Sequence, residues 1–131
     1  MSRNKKIIVF QIILPLILGI LIYALFRRQP PFGQYLPWDS PAFDISFLPN
    51  FLYIFIVYWL PGMLWTFAFI SALNMKLKRA LTSAFIVMSV VIVYEYLQYR
   101  GIINGVGDVE DIFHSLCAVM IYILFFRRDR R

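Results

Sequence analysis

Long runs without a charged residue set the pattern of this chain. Ile7 to Phe26 is an uncharged run of 20 residues, and at 1.5 Å per residue about 20 residues cross a hydrocarbon core of roughly 30 Å. A first membrane-spanning helix over 7–26 is therefore expected. Pro15 and Gly19 within it predict a mild kink or the close approach of a neighbouring helix. A second uncharged stretch, Ile45 to Met75, has 31 residues, more than one span needs and too few for two. Pro61-Gly62 falls in its middle. The pattern predicts one long, tilted or kinked helix over about 49–73. The alternative is an interfacial segment at Phe51–Trp59 that enters the bilayer at Pro61.

The last two runs are shorter. Ala80–Tyr94 and Ile112–Phe126 each hold 15 uncharged residues, roughly 22 Å of helix against a core of about 30 Å. To cross, the third helix must continue through Glu95 to about Tyr99, giving 80–99. The fourth must start near Asp108, giving 108–126. Length alone thus draws Glu95, Asp108, Glu110 and Asp111 to one boundary of the bilayer.

The connectors agree with four spans. Arg27 to Phe47 is rich in Pro, Gly, Trp and Asp, and such turn chemistry forbids a long helix. Its aromatics Phe32, Tyr35, Trp38 and Phe43 suit a loop lying at headgroup level. Asn74-Met75-Lys76-Leu77-Lys78-Arg79 reads as a short basic turn. Arg100-Gly101-Ile102-Ile103-Asn104-Gly105-Val106-Gly107 is short and glycine-rich, so the helices on either side are expected to be antiparallel neighbours. The fold class that follows is all-α: a single domain over 1–131, an integral membrane bundle of four transmembrane helices.

Composition places that bundle in lipid. Hydrophobic residues make up 61% of the 131 residues and charged residues 15%, values that belong to a bilayer rather than to water. The net charge of +6, from 13 Lys and Arg against 7 Asp and Glu, sits in clusters beside the apolar runs. That distribution writes topology, and no aromatic-interleaved basic patch remains for nucleic acid. With the N-terminus inside, Arg3, Lys5, Lys6, Lys76, Lys78, Arg79, Arg127, Arg128, Arg130 and Arg131 are cytoplasmic, and Arg27, Arg28 and Arg100 are left outside. Both termini are accordingly expected in the cytoplasm. The run over 7–26 exceeds a signal-peptide core, and no small-residue cleavage site follows it, so it reads as a retained helix. Cys117 is the only cysteine, which excludes an intrachain disulfide and suits a small packing residue.

Candidate chemistry gathers at the outer boundary. Glu95 and Gln98 are spaced i,i+3 and share a helix face, as do Asp108 and Asp111. Antiparallel packing brings Glu95 and Asp111 to similar depth, within about 10 Å. The expected site is a carboxylate cluster with an amide, Glu95, Gln98, Asp108 and Asp111, with Arg100 and His114 near it. Intramembrane ionisable residues mark function more often than not. Asp108 and Glu110 can equally be an N-terminal cap on the helix dipole, and His114 a neutral histidine bonded to a neighbour. Two carboxylates in different environments could divide acid and base roles. They could also hold a hard cation, although four side chains without a defined loop make a weak metal signature. The sequence leaves the cofactor open.

Glu95-x-x-Gln98 near the end of a helix, then Gly107-Asp108-x-x-Asp111-Ile112 opening the last one, resembles the pattern of the VanZ-like proteins, small bacterial membrane proteins named after a teicoplanin-resistance determinant. Leu60-Pro61-Gly62-Met63-Leu64-Trp65 is similar to a Leu-Pro-Asp-Gly-Leu-Trp stretch of shorter members, and Gly19-Ile20-Leu21-Ile22-Tyr23 to their first span. The resemblance covers most of the chain in order. It departs at Gly62, where the family has an acid, and near Ser115 and Ala118, where it has Asn or Tyr and then Gly. The resemblance implies a multi-pass protein of the bacterial cytoplasmic membrane with the outer-face acids as its site. Its partners would be the lipid bilayer and a lipid-linked envelope precursor or glycopeptide-related ligand. It brings no settled reaction with it. A non-enzymatic assembly or scaffold protein is the second reading, in which the acids set topology and helix pairing. A small proton-coupled transporter is the third; it needs an acid near the bilayer centre, and every acid here lies at the end of a span.

Overall fold

The computed structural model describes residues 2–27, 43–105 and 107–126. Among them every regular element is helical, and four helices are long and apolar enough to cross a membrane: α1 (Asn4–Phe26), α2 (Asn50–Leu77), α3 (Ala80–Tyr99) and α4 (Val109–Phe126). The protein is a four-helix membrane bundle. The expected interfacial loop around Phe32, Tyr35 and Trp38 and the basic run 127–131 lie outside the described residues. Phe43 lies within them, and its ring meets that of Phe26 at 6.3 Å.

The stretch around Pro61 is a continuous helix, not an interfacial segment leading into one. Within hydrocarbon each peptide N–H and C=O must be paired inside the helix. A proline removes one donor, and its ring presses on the carbonyl four residues back. Both apolar helices with an internal proline answer this in the same way. A π-helical turn, Ile8–Ile13, precedes Pro15, and another, Phe55–Trp59, precedes Pro61. The Leu14 N–H reaches the Val9 carbonyl and the Leu60 N–H reaches the Phe55 carbonyl, five residues back in each case. The wider turn makes room for the ring while the helix runs on.

At 28 residues α2 is the longest helix, about 42 Å, and it overreaches a hydrocarbon core of about 30 Å. It is also the axis of the bundle, packing against α1 on one side and against α3 and α4 on the other. Along α1 the buried residues Pro15, Gly19, Tyr23 and Ala24 form the stripe that meets it. A Cβ on Gly19 would run into the Trp65 indole, so the bare glycine is what lets that ring lie on α1. Tyr23 packs edge-on to the same indole at 5.1 Å.

Between α2 and α4 the seam is partly polar. The Thr66 hydroxyl donates to the Ser115 hydroxyl at 3.0 Å, and the Asn74 amide donates to the Tyr122 hydroxyl at 2.6 Å. All four residues are buried. Ile70, Ala84, Val87 and Val119 close the apolar core around Tyr122. The α2–α3 connection is a sharp turn in which Lys78 takes a left-handed conformation, φ 55°, and its N–H caps α2 on the Asn74 carbonyl at 2.9 Å.

The Asn74–Tyr122 bond joins two helices in a region where neither group can turn to water, and such bonds average about 0.6 and reach about 1.7 kcal/mol. Tyr122→Phe keeps the ring and removes the acceptor, so it is expected to lower stability by about 1 kcal/mol. Reversible unfolding in mixed detergent micelles measures this, and an unchanged midpoint would show that the bond contributes nothing net.

Candidate functional site

The two ends of the bundle differ in charge. Lys5, Lys6, Lys76, Lys78 and Arg79 cluster at one end with no acid among the described residues there. Asp44, Glu95, Asp108, Glu110 and Asp111 lie at the other, with Arg27 and Arg100. At the acidic end the candidate residues separate into two groups that do different things.

The first group closes the α3–α4 hairpin. α3 ends in a Schellman turn: the Gly101 N–H bonds the Gln98 carbonyl and the Ile102 N–H bonds the Leu97 carbonyl, each at 2.9 Å, with Gly101 left-handed at φ 67°. The chain then folds back over the end of α3. The Gln98 amide donates to the Asn104 carbonyl at 3.0 Å, and a carboxylate oxygen of Glu95 accepts the Asp108 N–H at 2.9 Å. Gly107 lies against the helix backbone itself; a Cβ there would stand 2.5 Å from the Glu95 carbonyl oxygen and from the Tyr99 nitrogen. Glu95 is 8% exposed, so its carboxylate is buried and used. Asp108 caps α4, its Oδ1 accepting the Glu110 N–H at 2.9 Å, and Glu110 and Asp111 occupy the first turn. Those positions favour negative charge at a helix N-terminus. Among the described residues Arg100 reaches only the exposed Tyr96 hydroxyl, at 3.5 Å.

The second group forms around Asp111, on the side of α4 that faces α2. Its carboxylate is half exposed and stands 4.0 Å from Nδ1 of His114, a residue that is 3% exposed. That separation is too long for a hydrogen bond. The His114 ring lies against the Trp59 indole, centroids 4.3 Å apart and planes 30° apart. Phe51 and Phe55 meet the same indole edge-on at 6.0 and 6.2 Å. Both His114 Nδ1 and Trp59 Nε1 are buried with no hydrogen-bond partner among the described residues. Arg27, at the end of α1, lays its guanidinium over the rings of Tyr23 and Tyr58, 4.6 and 5.2 Å from their centroids. It also acts electrostatically on Asp111. Three helices therefore converge here: the end of α1, the wide turn of α2 and the first turns of α4.

Sequence spacing singles out Asp111 and His114 but not Trp59, which reads as a belt or packing residue. Nor does it find the Thr66–Ser115 pair beneath. The usable signal was polar residues repeating on the facing stripes of α2 and α4, Thr66 with Asn74 and Ser115 with Tyr122, at intervals close to two helical turns. Among the described residues no three His, Cys, Asp or Glu side chains are placed to hold a metal ion. Comparison with family models, with curated proteins and with solved structures found no match.

The hairpin bonds make a prediction about Glu95. Glu95→Gln keeps an oxygen for the Asp108 N–H and is expected to change stability by less than about 1 kcal/mol, whereas Glu95→Leu leaves the donor unpaired and lowers it by about 1–3 kcal/mol. Gly107→Val forces the loop off α3 and is expected to be worse than either. Thermal unfolding of the purified protein ranks the three, and equal loss in Glu95→Gln and Glu95→Leu would mean that charge, not hydrogen bonding, holds the hairpin.

Proposed function

We propose that the chain is a VanZ-like protein of the bacterial cell envelope. Its acidic end forms an outward-facing polar pocket for a lipid-linked or glycopeptide-related ligand. The observation that carries this reading is the Asp111–His114 pair under Trp59. It sets a half-exposed carboxylate beside two buried nitrogens, His114 Nδ1 and Trp59 Nε1, neither of which has a hydrogen-bond partner among the described residues. Buried polar groups without partners are rare in native proteins and call for an explanation, of which a ligand is one. The apolar helix faces beside it, Phe113 and Leu116 among them, are exposed, which suits a ligand that arrives through the bilayer. The pair can bind, or can move a proton between a half-exposed carboxylate and a buried imidazole.

A scaffold role is the second reading, and the hairpin favours it for part of the cluster. Glu95, Gln98 and Asp108 spend their hydrogen bonds on the fold. The two readings divide at Asp111. In a susceptible host, expression of the wild type is expected to raise glycopeptide tolerance, and Asp111→Asn and His114→Phe to abolish the gain at equal membrane level. Full tolerance in both variants would leave the scaffold reading standing and the binding reading without support.

The orientation belongs to the same proposal. The basic end faces the cytoplasm under the positive-inside rule, which puts the Asp111 site outside. In a Cys117→Ala background, Ile102→Cys is expected to react with an impermeant maleimide on intact cells, and Lys78→Cys only after lysis. The reverse pattern would invert the protein and remove the pocket from the cell surface.

A further inference from the structure

We propose that His114 is a proton-operated latch between α4 and α2: a proton on its ring draws in the Asp111 carboxylate and tightens the ring's hold on the Trp59 indole, and loss of the proton releases both. The latch belongs to the site proposed above for binding, yet it operates without a ligand.

His114 is the only histidine of the chain and is 3% exposed. Its Nδ1 has no hydrogen-bond partner among the described residues and stands 4.0 Å from a carboxylate oxygen of Asp111, one helical turn earlier. A neutral imidazole makes no hydrogen bond across that gap. An imidazolium carries N–H on both nitrogens, so Nδ1 becomes a charged donor. The Asp111 side chain is half exposed and can turn to meet it, forming a charge-assisted bond roughly twice as strong as a neutral one. Across its face the ring lies on the Trp59 indole, centroids 4.3 Å apart and planes 30° apart. That is inside the distance of about 6 Å at which an aromatic face holds a cation. One proton therefore strengthens a contact within α4 and a contact from α4 to α2.

The charges around the ring set the balance. Burial opposes a charge on it, while Asp111, Glu110 and Asp108 on its own helix favour one. From α1 come Arg27, which acts on Asp111 and so competes with His114 for that carboxylate, and Tyr23. From α2 come Tyr53 and Tyr58, with no charged residue before Lys76 at the far end. From α3 comes Glu95, which interacts electrostatically with Asp111 but is bonded to the Asp108 N–H. Trp59 closes the π-helical turn that precedes Pro61, so the latch grips α2 where its helix is widened.

The single histidine makes the test direct. The full-length protein, isotope-labelled in its histidine and tryptophan rings and held in phosphatidylcholine nanodiscs without added ligand, is titrated by NMR over the pH range in which it stays folded. The imidazole is expected to pass from one protonated nitrogen to two within that range. The Trp59 indole signal, identified by its loss in Trp59→Phe, is expected to move with the same midpoint and to stay fixed in His114→Gln. Asp111→Asn keeps the shape and removes the charge, and is expected to lower the midpoint by about one pH unit, a tenfold loss of proton affinity. Glu110→Gln is expected to lower it by less. An imidazole that keeps one protonation state throughout overturns the latch, and so does a midpoint that Asp111→Asn leaves unmoved. Equal shifts in Asp111→Asn and Glu110→Gln overturn the Asp111 pairing in favour of a diffuse field. A Trp59 signal that does not follow the imidazole overturns the link to α2. None of these outcomes touches the binding role, which stands or falls on glycopeptide tolerance.

Discussion

Hydrocarbon offers no partner to a peptide group, and that constraint governs how α2 is built. The helix must cross the membrane while carrying Pro61, so it loses one donor where water cannot replace it. Widening the preceding turn keeps the helix continuous and rotates the residues before the proline relative to those after it. Trp59 stands at that join. Its indole comes to rest on His114, while seven residues on Thr66 meets Ser115. The position of the candidate site thus follows from how a proline is tolerated in lipid, as much as from the acids that draw the eye in the sequence.

The same scarcity of partners explains why polar residues in the bundle come in pairs. Thr66 with Ser115 and Asn74 with Tyr122 satisfy one another across α2 and α4. Ser71 bonds back to the Phe67 carbonyl of its own helix and Ser83 to the carbonyl of Arg79, the residue that precedes α3, each at 2.9 Å. Against this background the unpartnered nitrogens of Trp59 and His114 stand out as departures from a rule the rest of the seam obeys. Trp65 Nε1 is a third unpartnered nitrogen, held against α1 at Gly19, where the demand of packing accounts for it.

At the acidic end, one set of residues builds the ledge on which another is displayed. Glu95, Gln98 and Gly107 fix the return of the chain over α3, and Asp108 starts α4. Only then does Asp111 fall on the side of α4 that looks toward α2 and Arg27. Carboxylates that read as one cluster along the chain therefore differ in office, and the difference comes from which backbone N–H each can reach.

The sequence by itself determined the class of fold and the place where chemistry gathers. A bilayer demands uncharged helices of a certain length, so the uncharged runs alone define four spans, and the shortness of the last two forces carboxylates to one membrane face. These are one-dimensional constraints, and a one-dimensional reading recovers them. What each carboxylate does was decided only by tertiary structure. Glu95 faces the Asp108 N–H because a glycine lets the loop lie on the helix backbone. His114 is buried because α2, a helix without a single acid, brings Trp59 over it. The α2 path around Pro61 was ambiguous for a related reason: a proline within an apolar run can end a helix or merely widen it. The neighbours on both sides of α2, with Val57 and Pro61 fully buried among them, are what make the continuous helix the answer.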